Sequence, residues 1–161
     1  MLTNVVVHQC SPRSIQAQCM INALWLEIQQ RYQFAGENDI RPEDFEGKRQ
    51  AFWLATRGDS VLGSIGLKVH DQITAELDAM YVIPDYRGKG IAQKLYQQLE
   101  KYARQKRFAK IRLKSGTSQP ESLRFYEKLG FKKVACVDTD KPDIQTRCYE
   151  FELSQSALIN I

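Results

Sequence analysis

The sequence has few of the features that mark membrane, secreted or metal-binding proteins. None of its apolar runs is long enough to span a bilayer, and residues 1–4 lack the charged start and apolar core of a signal peptide. Its two histidines and four cysteines show no zinc-ligand spacing, so we expect no metal site. We predict a cytoplasmic protein with no membrane partner, whose cysteines are buried free thiols in a reducing compartment. The four cysteines are Cys10, Cys19, Cys136 and Cys148.

A strong charge bias is also missing. The chain of 161 residues carries 23 Lys and Arg against 19 Asp and Glu, a net charge of +4, and it contains no long basic run. Nucleic acid is therefore not a predicted partner. The apolar fraction of 43% and the charged fraction of 26% are ordinary for a globular protein. We predict a single domain over residues 1–161. Length, composition and charge are also compatible with a homodimer.

The apolar periodicity predicts helices and strands that alternate along the chain. The expected fold is an α/β (α+β) domain with a mixed, mostly antiparallel sheet of about seven strands and about four helices. Predicted strands lie at residues 4–9, 51–56, 61–69, 73–83, 110–114, 131–137 and 147–153. Predicted helices lie at residues 14–32, 90–106 and 120–129, with a loop or short helix over residues 34–48. A polar connection containing Pro142 is expected before the last strand.

The most informative segment joins the strand at residues 73–83 to the helix that follows it. Pro84 ends the strand, because it cannot donate to a sheet ladder, and a short loop with Gly88 and Gly90 then opens the helix. This loop is suited to bind a phosphate or pyrophosphate. It offers backbone N–H groups without intrahelical partners, the positive end of a helix dipole and two cationic side chains. An ordinary strand–helix turn is the alternative interpretation.

Two better-known phosphate motifs do not fit this loop. A nucleotide-binding P-loop needs Ser or Thr after Gly-Lys, whereas Gly90 follows Lys89 here. A dinucleotide-binding loop needs a third glycine where Gln93 stands.

The alternation within the preceding strand predicts two faces. One face is expected to carry Ala75, Leu77, Ala79, Tyr81 and Ile83. The other is expected to carry Glu76, Asp78, Met80 and Val82.

Two segments resemble the GNAT family of N-acetyltransferases. The run Arg87-Gly88-Lys89-Gly90-Ile91-Ala92 matches the family signature Arg/Gln-x-x-Gly-x-Gly/Ala. The run from Gln119 through Tyr126 to Phe131 is also similar to that family, in the right order and at about the right distance. The resemblance extends from about residue 50 to residue 134, and it implies a sheet that splays between its fourth and fifth strands.

The resemblance implies acetyl-CoA as the cosubstrate. In the family, this loop and helix start hold the pyrophosphate, which carries over to Arg87, Gly88, Lys89, Gly90, Ile91 and Ala92. The pantetheine arm pairs with the splayed strand, which carries over to the backbone of Met80, Tyr81 and Val82. Gln119 and Ser122 stand where the family usually has Asn and Ala, and they are also expected to contact the cofactor.

The implied reaction needs a base for the amine and an acid for the departing thiolate. Glu76 lies eleven residues before Arg87, the spacing at which many family members carry the base; Asp78 or a water relay stays open. Tyr126 matches the family's general acid, with a core aromatic as the alternative.

A small amine or an amino acid is the expected acceptor, and an acidic segment at residues 37–46 would attract it. A protein or peptide N-acetyltransferase, a non-catalytic acyl-CoA sensor and a nucleic-acid binder are the alternatives.

Overall fold

A seven-stranded sheet organises the computed structural model, which describes residues 2–136 and 146–153. The strands are β1 (Val6–Gln9), β2 (Ala51–Arg57), β3 (Ser60–Val69), β4 (Thr74–Val82), β5 (Lys110–Gly116), β6 (Lys132–Val134) and β7 (Thr146–Glu152). The α-helices are α1 (Ile15–Tyr32), α2 (Ile91–Gln105) and α3 (Pro120–Leu129), with 3₁₀ helices at Pro42–Phe45 and Pro84–Tyr86. The predicted end of a strand at Val137 and the connection containing Pro142 lie outside the described residues.

The strand order is β1-β2-β3-β4-β5-β7-β6. Every neighbouring pair is antiparallel except β4 and β5, which run parallel. The predicted fold class is therefore confirmed, with three α-helices among the described residues and a short 3₁₀ helix inside the segment predicted as a loop or short helix.

The helix ends follow from local capping chemistry. The Ser14 side chain accepts a hydrogen bond from the Ala17 N–H at 3.1 Å and fixes the start of α1. Gly130 closes α3 with a φ of 106°, a left-handed conformation that glycine adopts without steric cost.

The sheet opens between β4 and β5. Their pairing covers only Thr74 to Glu76 against Lys110 to Arg112, although β4 continues to Val82 and β5 to Gly116. The backbone edge of β4 beyond Glu76 is therefore not used by β5. This is the predicted splay, and it creates the space in which the candidate site lies.

A β-bulge in β4 makes the predicted two-face pattern wrong in its second half. Gly66 of β3 pairs with Asp78 and Ser64 pairs with Tyr81, so the single residue Ile65 lies opposite two residues of β4. Ala79, at the bulge, has a φ of 54°. Because one extra residue reverses the side-chain alternation, the faces exchange after Asp78.

The two sides of the sheet show this exchange. Ala75, Leu77 and Val82 pack in the core beneath α2 and α3, with Met80 packed against it. Ala79 and Tyr81 instead pack beneath α1 and Phe45. We call these sides the α2 face and the α1 face.

The expectation of four free, buried thiols is also wrong. Cys136 and Cys148 form a disulfide, with Cα atoms 5.5 Å apart, because the pairing of β6 with β7 brings their chain segments within bridging distance. Cys10 is half-buried and Cys19 is exposed, and both are free.

None of the described helices has the length and apolar character needed to cross a membrane.

Candidate active site

A cleft with a volume of about 390 Å³ lies where β4 leaves β5. Four parts of the chain form its walls: α1, the end of β4, the loop with the first turn of α2, and α3. The lining includes ten residues predicted for the cofactor, together with Tyr126; the ten are Met80, Tyr81, Val82, Arg87, Gly88, Gly90, Ile91, Ala92, Gln119 and Ser122. Thus the structure brings together residues from distant parts of the sequence.

The loop of residues 87–90, here called the glycine loop, presents backbone to this cleft. Gly88 and Gly90 have φ values of 76° and 86°, conformations in which side-chain-bearing residues are strained. A Cβ at Gly88 would meet no protein atom within 4 Å, so this glycine leaves open space beside the backbone. Gly90 is the N-cap of α2 and offers no side chain to the first-turn N–H groups. These groups are suited to an anionic oxygen from a ligand.

The structure places the two cations of the glycine loop differently, since Arg87 is paired and Lys89 is exposed. Arg87 Nε donates to the Val82 carbonyl oxygen at 2.7 Å, and its Nη2 donates to Glu27 Oε1 of α1 at 2.7 Å. Its guanidinium lies 5.5 Å from the centre of the Tyr81 ring. Lys89 is exposed and is not among the residues that line the cleft. Of these two cations, Arg87 therefore lines the cleft with its guanidinium already paired to Glu27, and Lys89 does not line it.

Gln119 contacts α1 as well as the cleft. Its Oε1 accepts a hydrogen bond from the Tyr32 hydroxyl at 3.2 Å. Tyr32 in turn packs directly on Gly116, where an added Cβ would collide with its phenol. The end of α1 therefore fixes the start of α3 on the β5 side of the splay.

Tyr126 is buried in the core and also lines the cleft. Within the described part of the chain, its hydroxyl has no hydrogen-bond partner. Burial raises the pKa of Tyr126 well above its ordinary value, and the negative charge of Asp78 raises it further. The phenol therefore keeps its proton at neutral pH. Its ring packs edge-to-face on Phe125 and Phe131, with centroids 5.4 and 5.7 Å apart.

The two candidate carboxylates lie on the α1 face, and a lysine of β3 joins them. Lys68 Nζ is 2.8 Å from Asp78 Oδ2 and 3.3 Å from Glu76 Oε2. Arg112 Nε of β5 is 3.3 Å from the other oxygen of Glu76. Burial lowers the pKa of Lys68, but the charges and hydrogen bonds of Asp78 and Glu76 outweigh this effect, and the pKa is raised overall.

Glu76 lines a second, polar pocket instead of the main cleft. This pocket lies on the α1 face next to the 3₁₀ helix Pro42–Phe45, and its volume is also about 390 Å³. Its other lining residues are Glu43, Asp44, Gln50, Lys68, Val69 and His70. Part of the predicted acidic segment thus lies beside Glu76. Arg13 neutralises another part, because its guanidinium makes two 2.8 Å contacts with Glu46.

Comparison with known proteins identifies the family. The acetyltransferase (GNAT) family model matches residues 18–131. The chain belongs to this family. N-acetyltransferase 8 from Homo sapiens is 29% identical over 102 residues, which cover 60% of this chain and 45% of that protein. The chain spans less than half the length of this and other curated relatives.

Solved structures of GNAT proteins share the fold. An acetyltransferase of the GNAT family from Staphylococcus aureus has a TM-score of 0.78 at 21% identity, covering 93% of this chain and 99% of that one. A GNAT family acetyltransferase from Elizabethkingia anophelis with acetyl-CoA bound has a TM-score of 0.67 at 17% identity, covering 94% and 100%. These similarities confirm the GNAT fold that the two sequence segments predicted.

Several residues of the GNAT cleft escaped the sequence analysis. Glu27 and Leu24 of α1 line it, and so do Tyr86, Gln93, Glu121 and Phe125. Glu27 looks like an ordinary polar position of an amphipathic helix, and its partner Arg87 is 60 residues away in the chain. No local pattern reveals such a contact.

Within the described residues, no group of three or more His, Cys, Asp or Glu side chains could hold a metal ion.

Proposed function

We propose that this GNAT protein is an acetyl-CoA-dependent N-acetyltransferase that acetylates a primary amine of a small molecule or amino acid. The observation that carries the proposal is a single cleft shared by three features. These are the glycine loop at the start of α2, the backbone edge of β4 that β5 leaves unpaired, and the buried phenol of Tyr126.

Different features of the cleft lining suit different parts of acetyl-CoA. The pyrophosphate suits the N–H groups that follow Gly88 and Gly90. The amide-bearing arm suits the edge of β4 at Met80 and Tyr81, in the manner of an added strand. Because Arg87 already occupies the Val82 carbonyl, the neighbouring peptide groups carry most of this pairing. Gln119 and Ser122 border the same space from α3.

In the proposed reaction the amine nitrogen bonds to the acetyl carbon while the carbon–sulfur bond breaks. Tyr126 is the proposed general acid, which gives its proton to the departing sulfur. A phenol with a raised pKa is fully protonated at neutral pH and is therefore available as a donor. The proton that the amine loses must go to a base on the acceptor side.

Glu76 stays our predicted base, with Asp78 and a water relay as alternatives. Each Glu76 oxygen already contacts a cation, but a carboxylate oxygen has two lone pairs, so one lone pair on each is left for an ammonium or a water. Asp78 is in a similar position, since it accepts from Lys68 and from the Ala79 N–H at 2.6 Å. Asp78 is the carboxylate whose charge influences Tyr126.

The polar pocket beside Glu76 supports an amine acceptor. Three carboxylates, those of Glu43, Asp44 and Glu76, line it against one lysine, Lys68, and their excess negative charge attracts a cation. This supports a small amine or an amino acid over a neutral acceptor.

An acetyl-CoA transfer screen tests the proposal. Amino acids, polyamines, aminoglycosides and short peptides are incubated with acetyl-CoA, and free CoA thiol and acetylated product are measured. We expect turnover with at least one small amine. Tight CoA binding without turnover of any amine would support a non-catalytic acyl-CoA sensor instead, and turnover of peptides alone would support a peptide acetyltransferase.

A further inference from the structure

Arg87 connects the glycine loop to two other parts of the fold. It donates to the Val82 carbonyl of β4 and to the Glu27 carboxylate of α1, both at 2.7 Å. The Arg87 side chain is 33% exposed and the Glu27 side chain is 21% exposed, so the ion pair is partly shielded from water. A hydrogen bond between charged groups in such a position is stronger than one on the open surface.

Among the residues that the structure describes, no other side chain of the glycine loop joins it to α1. Gly88 and Gly90 have no side chains, and the side chain of Lys89 is exposed. The Arg87 N–H donates to the nearby Pro84 carbonyl at 3.2 Å, within the same 3₁₀ turn. The contact between Arg87 and Glu27 is therefore the side-chain link between the loop and α1, in addition to the anchoring of the loop by the buried start of α2 at Ile91.

Glu27 also belongs to a chain of charges that crosses the splay. Its Oε2 is 3.7 Å from Arg31 Nε, one helical turn further along α1. Arg31 reaches the β5 side of the splay, where it contacts Glu121 at 2.5 Å and the Ser118 carbonyl at 2.9 Å. Glu27 and Arg31 thus tie α1 to both walls of the cleft.

We propose that Glu27 is a positioning residue for acyl-CoA binding, which holds Arg87 so that the glycine loop presents its N–H groups to the pyrophosphate. Glu27 acts through Arg87 and touches no phosphate itself. The inference rests on the proposed function, because it assumes that CoA is the ligand of the cleft.

When the Glu27 carboxylate is removed, the proposal predicts a change in CoA affinity opposite in sign to the change expected from net charge alone. CoA is a polyanion, so removing a carboxylate next to Arg87 should strengthen binding if only net charge mattered. If Glu27 instead orients Arg87 and the loop, removing the carboxylate should weaken binding. The sign of the change therefore separates the two explanations.

The experiment compares Glu27→Gln with a matched control, Glu100→Gln, by calorimetric titration with CoA and with pantetheine. Glu100 forms an ion pair of similar exposure with Arg104 on α2 and does not line the cleft. Pantetheine has the arm of CoA without its phosphates. We expect Glu27→Gln to raise the Kd for CoA about tenfold, which corresponds to about 1.4 kcal/mol. The Kd for pantetheine, and both Kd values of Glu100→Gln, should stay within about twofold of wild type.

A double-mutant cycle tests the route through Arg87. In an Arg87→Gln background, Glu27→Gln should have no further effect on the Kd for CoA, because the group that Glu27 orients is gone. A full tenfold effect in that background would show that Glu27 acts on CoA by another route, and would overturn the proposal.

The remaining outcomes are equally decisive. Tighter or unchanged CoA binding by Glu27→Gln would overturn the positioning role while leaving the proposed function intact. An equal loss for CoA and pantetheine would mean that Glu27 supports the whole cleft, which also contradicts the proposal. If wild-type protein bound no CoA, the proposed function itself would fail, and this inference with it.

Discussion

Tyr126 combines burial with access to the cleft. Its ring packs between Phe125 and Phe131, and these contacts hold the phenol in one place. The residue lines the cleft, and its raised pKa keeps the phenol protonated at neutral pH. A core tyrosine that only fills space would not need to face a cleft. The chemical role can be separated from the packing role by removing the oxygen alone.

We expect Tyr126→Phe to lower kcat on the order of 10²-fold while the KM for acetyl-CoA stays nearly constant. The ring and its packing are kept, so the loss acts mainly on the transition state. The measurement is steady-state kinetics with an amine found in the screen, with the melting temperature as a control for folding. Wild-type turnover by this variant would make Tyr126 a packing residue.

Glu76 and Asp78 can be distinguished by the pH dependence of their variants. If Glu76 removes the proton from the amine, Glu76→Gln should be slow at neutral pH and should recover part of its rate as pH rises, because more of the amine is then neutral in solution. Asp78→Asn is the matched variant, since it removes the other partner of Lys68. The measurement is kcat against pH from 6 to 9. Recovery confined to Asp78→Asn would identify Asp78 as the base.

At the scale of elements, the glycine loop offers a direct test of backbone recognition. Gly88→Ala adds one methyl group where the structure has open space, in a backbone conformation with a φ of 76°. Gly58→Ala is its control: Gly58 lies in the β2–β3 turn, has a φ of 60° and also has no atom within 4 Å of an added Cβ. Both variants carry similar backbone strain, of about 1 kcal/mol.

We expect Gly88→Ala to weaken CoA binding at least about tenfold, because the methyl group keeps the pyrophosphate oxygens from approaching the backbone. Gly58→Ala should lose a similar amount of stability but bind CoA like wild type. Binding is measured by calorimetry and stability by urea unfolding. Equal CoA affinities in the two variants would mean that the glycine loop is only a turn.

The elements also show which features could be predicted from the sequence. The helices follow from apolar spacing and from caps such as Ser14 and Gly130, and their predicted ends lie within one residue of the observed ones. The faces of β4 could be predicted only as far as Asp78. Ala79 adopts a φ of 54° without being glycine, so nothing in the local sequence marks the bulge.

The parts of the candidate site that lie in continuous segments of the sequence could be predicted. The glycine loop, the edge of β4 and Tyr126 lie in segments that resemble the family, and the structure places them around one cleft. The contacts of Arg87 with Glu27, and of Glu76 with Lys68 and Arg112, could not be predicted. They join residues that are far apart in the chain, and only the tertiary fold brings them together. The disulfide was missed for the same reason.

At the scale of the whole molecule, binding of CoA should stabilise the fold. A ligand that binds only the folded state at a hundredfold excess over its Kd adds about 2.7 kcal/mol to the free energy of unfolding. For a chain of this size that corresponds to a rise in melting temperature of about 5–10 °C. ATP and NAD at the same concentration should produce much less, because they lack the arm that pairs with β4. An equal shift with ATP would reduce the cleft to a general anion site.

The buried tyrosines predict how stability changes at alkaline pH. Burial raises the pKa of Tyr96 and of Tyr126 above the ordinary value, and the negative charges of Glu100 and Asp78, respectively, act in the same direction. In the unfolded chain both phenols ionise near pH 10. Below that pH the folded and unfolded states hold the same phenolic protons, so stability is fully present. Above it the unfolded chain loses protons that the folded protein keeps, and stability falls as pH rises.

We therefore expect the free energy of unfolding to decrease above about pH 10, by up to about 1.4 kcal/mol per pH unit for each buried tyrosine. Lys68, whose pKa is also raised, contributes in the same direction. Urea unfolding between pH 8 and 11 measures the slope. Tyr126→Phe and Tyr96→Phe should each make it shallower, because each removes one phenol while Lys68 stays. An identical slope in wild type and Tyr126→Phe would mean that the Tyr126 phenol ionises in the folded protein as it does in water. A phenol with a pKa of about 10 is still protonated at neutral pH, so this outcome would contradict the burial of the hydroxyl and not the proposed acid role, which the kinetics of Tyr126→Phe decide.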